Sequence, residues 1–346
     1  MSTNIKEEVV LVLITDRNYA EPTAVTLYSI LSNIKKESIK LKLYVVNTGM
    51  EESQKRRFSR VIRKSSIDVK CIWKDFVIEE KEIPERKDWK TKSVYVPLWF
   101  SDIIPRYEKR IIYIDGDTIV NGDIYNLWKK KVGNNILAAV RDFFIPYVSS
   151  RWGIKRYKEI GMKSTDYYFN SGVMLINMMR WRKMSIKDKA LKYISKYNKE
   201  MVFADQEALN VSVRQKWRQI SPKWNVHYGL THEDWLKVYE ENRNCTYVEG
   251  LKNRREKILE QAKIIHFAGS YKPWKVSEIH DKSYLWYKEM WASNWMYPSE
   301  RLISMARFCA QRYKIYTYNI VSLIRKWAKV DKLTKLMGIW SDSESY

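Results

Sequence analysis

Apolar and polar positions follow two patterns over the first 120 residues, one typical of buried strands and one typical of helices. Residues 9–15 (VVLVLIT) form a continuous apolar run, which predicts a buried strand, and the apolar positions of 24–34 recur at helical spacing. The further elements predicted here are strands at 41–47, 67–73 and 110–115 and a helix at 51–64. Strands that alternate with helices indicate βαβ units, so we predict an α/β fold with a mostly parallel central sheet.

The middle of the chain is less regular but keeps apolar runs of similar length. The elements predicted there are strands at 136–140, 172–177 and 263–267 and helices at 185–197 and 205–213. The sequence shows no internal repeat and no low-complexity linker. Its 346 residues suit one large domain or two modest ones.

Polar clusters follow two of the predicted strands. Residues 15–18 (TDRN) follow the first strand, and Asp115, Gly116 and Asp117 follow the strand at 110–115. Because parallel strands joined by right-handed crossovers end at the same edge of a sheet, we expect both clusters to face one crevice.

The Asp115-Gly116-Asp117 tripeptide has two interpretations. Aspartate and glycine are common turn residues, so the tripeptide is consistent with an acidic turn. Two carboxylates at a strand end can also hold a divalent cation between the protein and a diphosphate. The tripeptide alone does not separate these interpretations.

A second segment favours the metal site. His266 ends an apolar strand, Gly269 follows three residues later, and Lys272 three residues after that. Histidine can ligate a metal, glycine lets the backbone approach a ligand closely, and lysine can neutralise a phosphate. A histidine alone is more often structural, but this combination is the set that a metal–diphosphate site needs.

The charge and aromatic content suggest an anionic partner. The formal net charge is +23, and there are 15 Trp and 24 Tyr residues. Nucleic acid, a nucleotide substrate and an anionic membrane surface all satisfy this pattern. The chain has no recognisable RNA-binding module or zinc finger, so no nucleic acid is expected.

The cysteine pattern and the absence of long apolar runs indicate in which cellular compartment the protein works. Cys71, Cys245 and Cys309 are far apart and match neither a disulfide framework nor a zinc spacing. No secretory signal is recognisable, and no stretch reaches the roughly 18 apolar residues that span a bilayer. We therefore expect a cytoplasmic protein, soluble or peripheral on the inner face of the membrane.

The C-terminal tail differs from the rest of the chain. Residues 301–337 contain nine Lys or Arg and a single acidic residue, Asp331, with aromatic residues at helical spacing. This pattern predicts a basic amphipathic helix on an anionic membrane surface; the alternative is a helix packed on the domain with a solvated basic face. We expect a catalytic domain at 1–280 and a membrane-associated region at 281–346.

Five ordered motifs make the chain resemble glycosyltransferase family 8 over about residues 8–275. These are the retaining GT-A enzymes that include bacterial lipooligosaccharide galactosyltransferases. The motifs are TDRNY at 15–19, YIDGD at 113–117, FNSGVMLIN at 169–177, ADQ at 204–206 and HFAGSYKPW at 266–274. Each motif is weak alone, but five in the family's order are specific. The resemblance implies a GT-A fold, which is a Rossmann-like domain for nucleotide-diphospho-sugar transfer.

The resemblance also implies a role for each matched residue. The implied ligands of a Mn²⁺ ion, with Mg²⁺ as an alternative, are Asp115, Asp117 and His266. The implied contacts to the nucleotide and diphosphate of a UDP-sugar are Asp16, Asn18, Gly116, Gly269 and Lys272. The implied contacts to the donor sugar are Asp142, Asn170, Ser171, Asp205 and Gln206, with Asp205 and Gln206 as the catalytic pair.

One position departs from the family pattern. An Arg or Lys often lies near the position of Pro97 or Leu98, where it aids the diphosphate, and neither residue here carries charge. Lys92 is the candidate replacement. Gln206 occupies the family position beneath the donor, but an amide is a poor nucleophile. We therefore favour front-face attack, with Gln206 as a stabiliser.

The expected function is a Mn²⁺-dependent retaining transfer of galactose or glucose from a UDP-sugar to a glycan acceptor on lipid or protein. Such a reaction builds cell-surface polysaccharide, lipooligosaccharide or glycoprotein. The alternatives are a glycogenin-like or protein-directed transferase of the same family and a basic nucleic-acid-binding protein. A catalytically inactive sugar-binding homologue is disfavoured, because all three implied metal ligands are present.

Overall fold

The computed structural model describes residues 7–35, 39–79, 82–83, 92–227, 240–242, 245–269, 271–275 and 283–328. For 314–328 the backbone alone is described. The described strands are β1 Glu7–Thr15, β2 Ile39–Asn47, β3 Asp68–Asp75, β4 Arg110–Ile114, β5 Thr118–Val120, β6 Leu137–Arg141, β7 Phe169–Asn177, β8 Trp217–Gln219, β9 Val226–His227 and β10 Ile264–His266.

Helices cover both faces of the strands. They are α1 Ala20–Asn33, α2 Glu52–Arg63, α3 Phe100–Ile103, α4 Tyr125–Trp128, α5 Met178–Lys183, α6 Ile186–Tyr197, α7 Ala204–Val213, α8 Thr246–Asn253, α9 Arg255–Glu260, α10 Ser283–Ala292 and α11 Pro298–Ala328. Two 3-10 helices occupy Lys92–Trp99 and Pro222–Trp224. The elements predicted from the sequence are present, with ends that differ by up to four residues.

Seven strands form the central sheet in the order β3-β2-β1-β4-β7-β6-β8. Strands β1 to β4 are mutually parallel, and β7 is antiparallel to both β4 and β6. The mostly parallel α/β sheet predicted from the sequence is therefore confirmed. Because β7 runs the opposite way, its first residues lie at the same edge as the last residues of β1, β4 and β6.

A second, three-stranded sheet has the order β5-β10-β9. Strand β10 pairs antiparallel with β5 and parallel with β9, which places His266 opposite Thr118 on one side and His227 on the other. Thr118 follows Asp117 directly in the chain. This pairing therefore brings a histidine from late in the sequence beside the acidic turn after β4.

Apolar layers cover both faces of the central sheet. Helices α1 and α2 pack on one face, where Leu27 and Phe58 are fully buried. Helices α5, α6 and α7 and the first 3-10 helix pack on the other face around Trp99 and Trp181. Both layers are fixed before any ligand binds, so the edge of the sheet is a rigid platform for a site.

The C-terminal region begins with a packed helix and continues with a longer helix, most of whose described side chains are exposed. Trp286 and Met290 of α10 are buried in an apolar cluster with residues of the second sheet. Helix α11 spans 31 residues, and its exposed side chains include Leu302 and Tyr313. None of the helices that the structure describes is both long and apolar enough to cross a bilayer.

Candidate active site

Three potential metal ligands meet at the sheet edge. The Nε2 atom of His266 lies 3.2 Å from Oδ1 of Asp117 and 3.5 Å from Oδ2 of Asp115. One ligand atom from each residue lies within 4.8 Å of the others. The side chain of Asp115 is 32% exposed, whereas those of Asp117 and His266 are almost buried. The cluster is therefore open on one side, as a site that takes a ligand requires.

Close packing around Gly116 and Gly172 sets the shape of the cluster. A Cβ atom on Gly172 would lie 2.2 Å from Cε1 of His266 and 2.8 Å from Oδ2 of Asp115. A Cβ atom on Gly116 would lie 2.2 Å from Oγ1 of Thr23 on α1. A side chain at position 172 would therefore displace His266 or Asp115, and one at position 116 would force the Thr23 side chain to move.

Burial and charge act in opposite directions on the cluster. Burial raises the pKa of Asp117, but the attraction of Lys272 and His266 outweighs it and holds the pKa well below its usual range. Burial lowers the pKa of His266, yet the Asp117 carboxylate leaves it raised overall. Burial also raises the pKa of Asp115, with Asp117 contributing further. In the metal-free site the charges of Asp117, His266 and Lys272 therefore stabilise one another, and a bound cation would take the place of the proton on His266.

Lys272 already supplies one positive charge to the cluster. Its Nζ atom donates to Oδ2 of Asp117 at 2.5 Å and to the carbonyl oxygen of Phe267 at 2.7 Å. The ammonium lies 6.0 Å from the ring centre of Tyr19 and 5.7 Å from that of Trp274. Gly269, between Phe267 and Lys272, has a φ of +88°, which favours glycine in the loop that returns the lysine to the site.

Asn225 orients the histidine and had no recognisable signal in the sequence. Its Oδ1 lies 3.0 Å from Nδ1 of His266, while its Nδ2 donates to Oδ1 of Asn170 at 2.7 Å. With this amide orientation Nδ1 is the ring nitrogen that donates to Asn225, which leaves Nε2, beside the carboxylates, as the atom that would ligate a metal. The residue precedes β9, which at two residues is too short for a periodic pattern.

We expect Asn225→Leu to weaken Mn²⁺ binding about 10- to 100-fold, because the imidazole loses the acceptor that fixes its tautomer. Isothermal titration of the purified protein measures this. Asn225→Asp keeps the acceptor for Nδ1 but loses the donor to Asn170, and it should bind Mn²⁺ more tightly than Asn225→Leu. Equal affinities for the Leu variant and the unaltered chain would contradict the orienting role.

The residues assigned to the donor sugar form one hydrogen-bonded network. Oδ2 of Asp142 accepts from Nδ2 of Asn170 at 3.0 Å and from Nε2 of Gln206 at 3.2 Å. Oε1 of Gln206 in turn accepts from the backbone N–H of Ser171 at 3.0 Å, and the Ser171 hydroxyl donates to Asp205 at 3.3 Å. The structure therefore brings together residues from β7, α7 and the turn after β6.

Arg141, which the sequence analysis did not single out, holds the turn that presents Asp142. Its guanidinium is enclosed by the rings of Tyr147, Tyr167 and Tyr247, at 4.3, 3.9 and 4.7 Å from their centres. The Tyr247 hydroxyl donates to the backbone carbonyl of Arg141 at 2.9 Å. Cation–π contacts in such a buried setting stabilise one backbone conformation at the end of β6.

Asp205 is a carboxyl whose ionisation the fold disfavours. Burial, with repulsion from Asp115, raises its pKa from 3.8 to about 7. Folding therefore favours the neutral acid, and the cost of ionisation increases as the pH rises from about 4 to 7.

We expect Asp205→Asn to stabilise the metal-free protein by about 1 to 2 kcal/mol at pH 8 and by almost nothing at pH 4.5. The figure is below the full linkage energy, because solvent reaches the cleft. Urea unfolding at the two pH values measures it. Asp188→Asn, at an exposed position in the first turn of α6, is the matched control and should not stabilise the protein. A gain of equal size at both pH values would contradict the ionisation argument.

The residues assigned to the nucleotide lie at the end of β1. Oδ1 of Asp16 accepts from the backbone N–H groups of Asn18 and Tyr19 at 2.8 and 2.9 Å. The Ser93 hydroxyl donates to Oδ2 of Asp16 at 3.1 Å, so the 3-10 helix that begins at Lys92 borders this cluster. Pro97, further along the same helix, is buried.

Comparisons with known proteins agree with this architecture. Residues 10–278 match the sequence profile of glycosyl transferase family 8. General stress protein A of Bacillus subtilis is 30% identical over 80% of this chain and 91% of its own length. Lipopolysaccharide 1,2-glucosyltransferase of Escherichia coli is 20% identical over 75% of this chain and 70% of its own.

A solved structure shares the fold. Galactosyltransferase LgtC, crystallised with donor and acceptor sugar analogues, superposes with a TM-score of 0.66 at 20% identity over 84% of this chain and 98% of its own. Such GT-A enzymes use nucleotide-sugar donors and a divalent metal, and this chain has a candidate metal site at Asp115, Asp117 and His266. The chain belongs to glycosyl transferase family 8 and is a glycosyltransferase of the GT-A fold.

Proposed function

We propose that this enzyme is a Mn²⁺-dependent, retaining hexosyltransferase that moves galactose or glucose from a UDP-sugar to a glycan acceptor on lipid or protein. The observation that carries the proposal is the open cluster of Asp115, Asp117 and His266 beside Lys272. Two carboxylates and an imidazole whose Nε2 faces them form a mixed donor set that fits Mn²⁺, and Mg²⁺ is the alternative. When bound, the metal would supply Lewis-acid neutralisation of the departing diphosphate.

The residues around the cluster provide the remaining electrostatic stabilisation. Lys272 and the backbone of Gly269 would contact the diphosphate, and Asp16, Asn18 and Gly116 would line the nucleotide side of the crevice. The fold holds these groups in place before the UDP-sugar binds, so they need little reorganisation as negative charge develops on UDP.

Gln206 is proposed to stabilise the donor sugar rather than to attack it. Both ends of its amide are held, one by Ser171 and the other by Asp142. A restrained, uncharged amide is a poor nucleophile, so front-face attack guided by the leaving phosphate accounts better for retention. Asp142, Asn170 and Asp205 complete the pocket for the sugar.

We expect Gln206→Ala to slow transfer about 100-fold while the product keeps the anomeric configuration of the donor, because the variant loses only stabilisation. Nuclear magnetic resonance of the product glycoside gives the configuration, and UDP release gives the rate. A covalent sugar trapped on Gln206, detected by peptide mass spectrometry, would contradict the front-face route.

A screen of UDP-sugars with Mn²⁺, following UDP release, tests the proposed function directly. The proposal expects turnover with UDP-galactose or UDP-glucose that requires the metal. Acceptor screening then separates a lipid-linked glycan from a protein-directed or glycogenin-like reaction. Salt-dependent nucleic-acid binding without turnover of any UDP-sugar would overturn the proposal.

We also propose that region 281–346 associates with an anionic membrane at the cytoplasmic face, while 1–280 forms the catalytic domain. The basic composition of the tail and the exposed apolar residues of α11 support this. Residues 329–346 lie outside the described part of the chain.

A further inference from the structure

Helix α2 and the segment that enters α11 border a basic cavity of about 750 Å³, here named the α2 cavity. Its lining has five cationic residues and one acidic residue, Glu52. The cationic residues are Lys55, Arg56, Arg57, Arg60 and Arg63. None belongs to the Asp115 cluster or to the residues assigned to the donor, so the α2 cavity is a separate feature.

Part of the α2 cavity is rigidly built. The Tyr297 ring packs against two guanidinium groups, at 4.9 Å from Arg57 and 4.1 Å from Arg60. Arg57 also forms a bidentate pair with Glu300, both hydrogen bonds at 2.8 Å, and Arg60 donates to the carbonyl oxygen of Trp295 at 2.8 Å. These contacts attach the start of α11 to α2 and fix the aromatic wall.

Two further arginines of α2 take no part in the contacts that Arg57 and Arg60 form. Arg56 and Arg63 are exposed and, among the residues that the structure describes, form no ion pair. They are seven residues apart on one helix, which corresponds to about 10 Å along its axis. A phosphate group between or beside them can accept paired hydrogen bonds from guanidinium groups.

The surface next to the α2 cavity indicates which phosphate would reach it. Helix α11 begins one residue after Tyr297 and exposes Leu302 by 68% and Ile303 by 54%. At 31 residues it extends for about 46 Å. Apolar side chains beside a basic surface are typical of a helix that lies in the interface of an anionic bilayer. In that position the α2 cavity would be at headgroup level.

We propose that the α2 cavity binds the phosphate of an anionic lipid headgroup while α11 lies on the membrane surface, an inference that rests on the membrane association proposed above for region 281–346. Arg56 and Arg63 provide the free positive charge, and Trp73 and Tyr297 provide the aromatic walls that suit the interface. The catalytic domain thus has its own contact with lipid, in addition to the contact made by the basic tail. This second contact restrains how the active-site edge of the sheet is oriented above the bilayer.

The test uses the full-length protein and vesicles of phosphatidylcholine with about 30 mol % phosphatidylglycerol. We expect Arg56→Gln/Arg63→Gln to reduce vesicle binding about thirtyfold, from roughly fivefold for each charge near the surface. Lys216→Gln/Arg218→Gln, which removes two exposed charges at or beside β8 on the opposite edge of the sheet, should change binding less than about twofold. Thermal unfolding verifies that both variants are folded.

Three outcomes would overturn the proposal. Equal losses for the two double variants would show that only net charge matters. Unchanged binding of the Arg56→Gln/Arg63→Gln variant would show that the α2 cavity does not contact lipid. Stabilisation of the unaltered protein by inorganic phosphate, lost in that variant and without any difference in vesicle binding, would indicate a site for soluble phosphate instead.

Discussion

Asp117→Asn is expected to reduce Mn²⁺-dependent UDP release by at least about a thousandfold. The substitution removes one of two carboxylates from the cluster and leaves an amide, which is a weak ligand for a hard cation. A loss of several kcal/mol of transition-state stabilisation corresponds to this factor. The rate is measured with UDP-galactose and UDP-glucose at saturating metal. Asp68→Asn, an exposed carboxylate on β3, is the control and should leave the rate unchanged.

A folding defect must be separated from this loss, because Asp117→Asn also leaves the buried Lys272 without its carboxylate. Removing one partner of a buried ion pair costs about 3 to 5 kcal/mol. The double variant Asp117→Asn/Lys272→Met removes both charges and should recover part of the stability while staying inactive. Substantial turnover in either variant would contradict the metal assignment.

Lys272→Met is expected to have opposite effects on turnover and on metal binding. Turnover should fall about 100- to 1000-fold, because a preorganised positive charge beside the diphosphate is lost. Mn²⁺ binding without donor should tighten about tenfold, since the ammonium no longer neutralises Asp117 at 2.5 Å. Isothermal titration and UDP release measure the two effects on the same preparation.

The metal-free Lys272→Met protein should also unfold at lower urea concentration, because Asp115 and Asp117 then repel each other without a nearby ammonium. Lys275→Met, three residues later in the same loop and exposed, is the matched control and should change none of these properties. Weaker metal binding in Lys272→Met would contradict the view that the lysine balances the charge of Asp117.

Local patterns were sufficient to predict six of the seven strands of the central sheet and helices α1, α2, α6 and α7 that pack on it. The apolar run at 9–15 and the helical spacing at 24–34 correspond to β1 and α1. Strands β5, β8 and β9 were not predicted, since segments of two or three residues contain no measurable period. Two of these short strands, β5 and β9, nevertheless determine where His266 lies, because β10 pairs with both of them.

The candidate site shows the same division between local and long-range information. The acidic pair and the histidine could be selected from the sequence because they resemble family motifs. Their proximity depends on the antiparallel pairing of β10 with β5, and that of Asn170 and Ser171 depends on the reversed direction of β7. Asn225 and Arg141 act through partners that are distant in sequence, so no local pattern identifies them.

Anomalous diffraction at the manganese edge, from a crystal of the protein grown with Mn²⁺ and UDP, would show which residues hold the metal. We predict one strong anomalous peak in contact with a carboxylate oxygen of Asp115, a carboxylate oxygen of Asp117 and Nε2 of His266, and with oxygens of the diphosphate. A peak at another place, or a bound UDP whose diphosphate lies away from these three residues, would contradict the account.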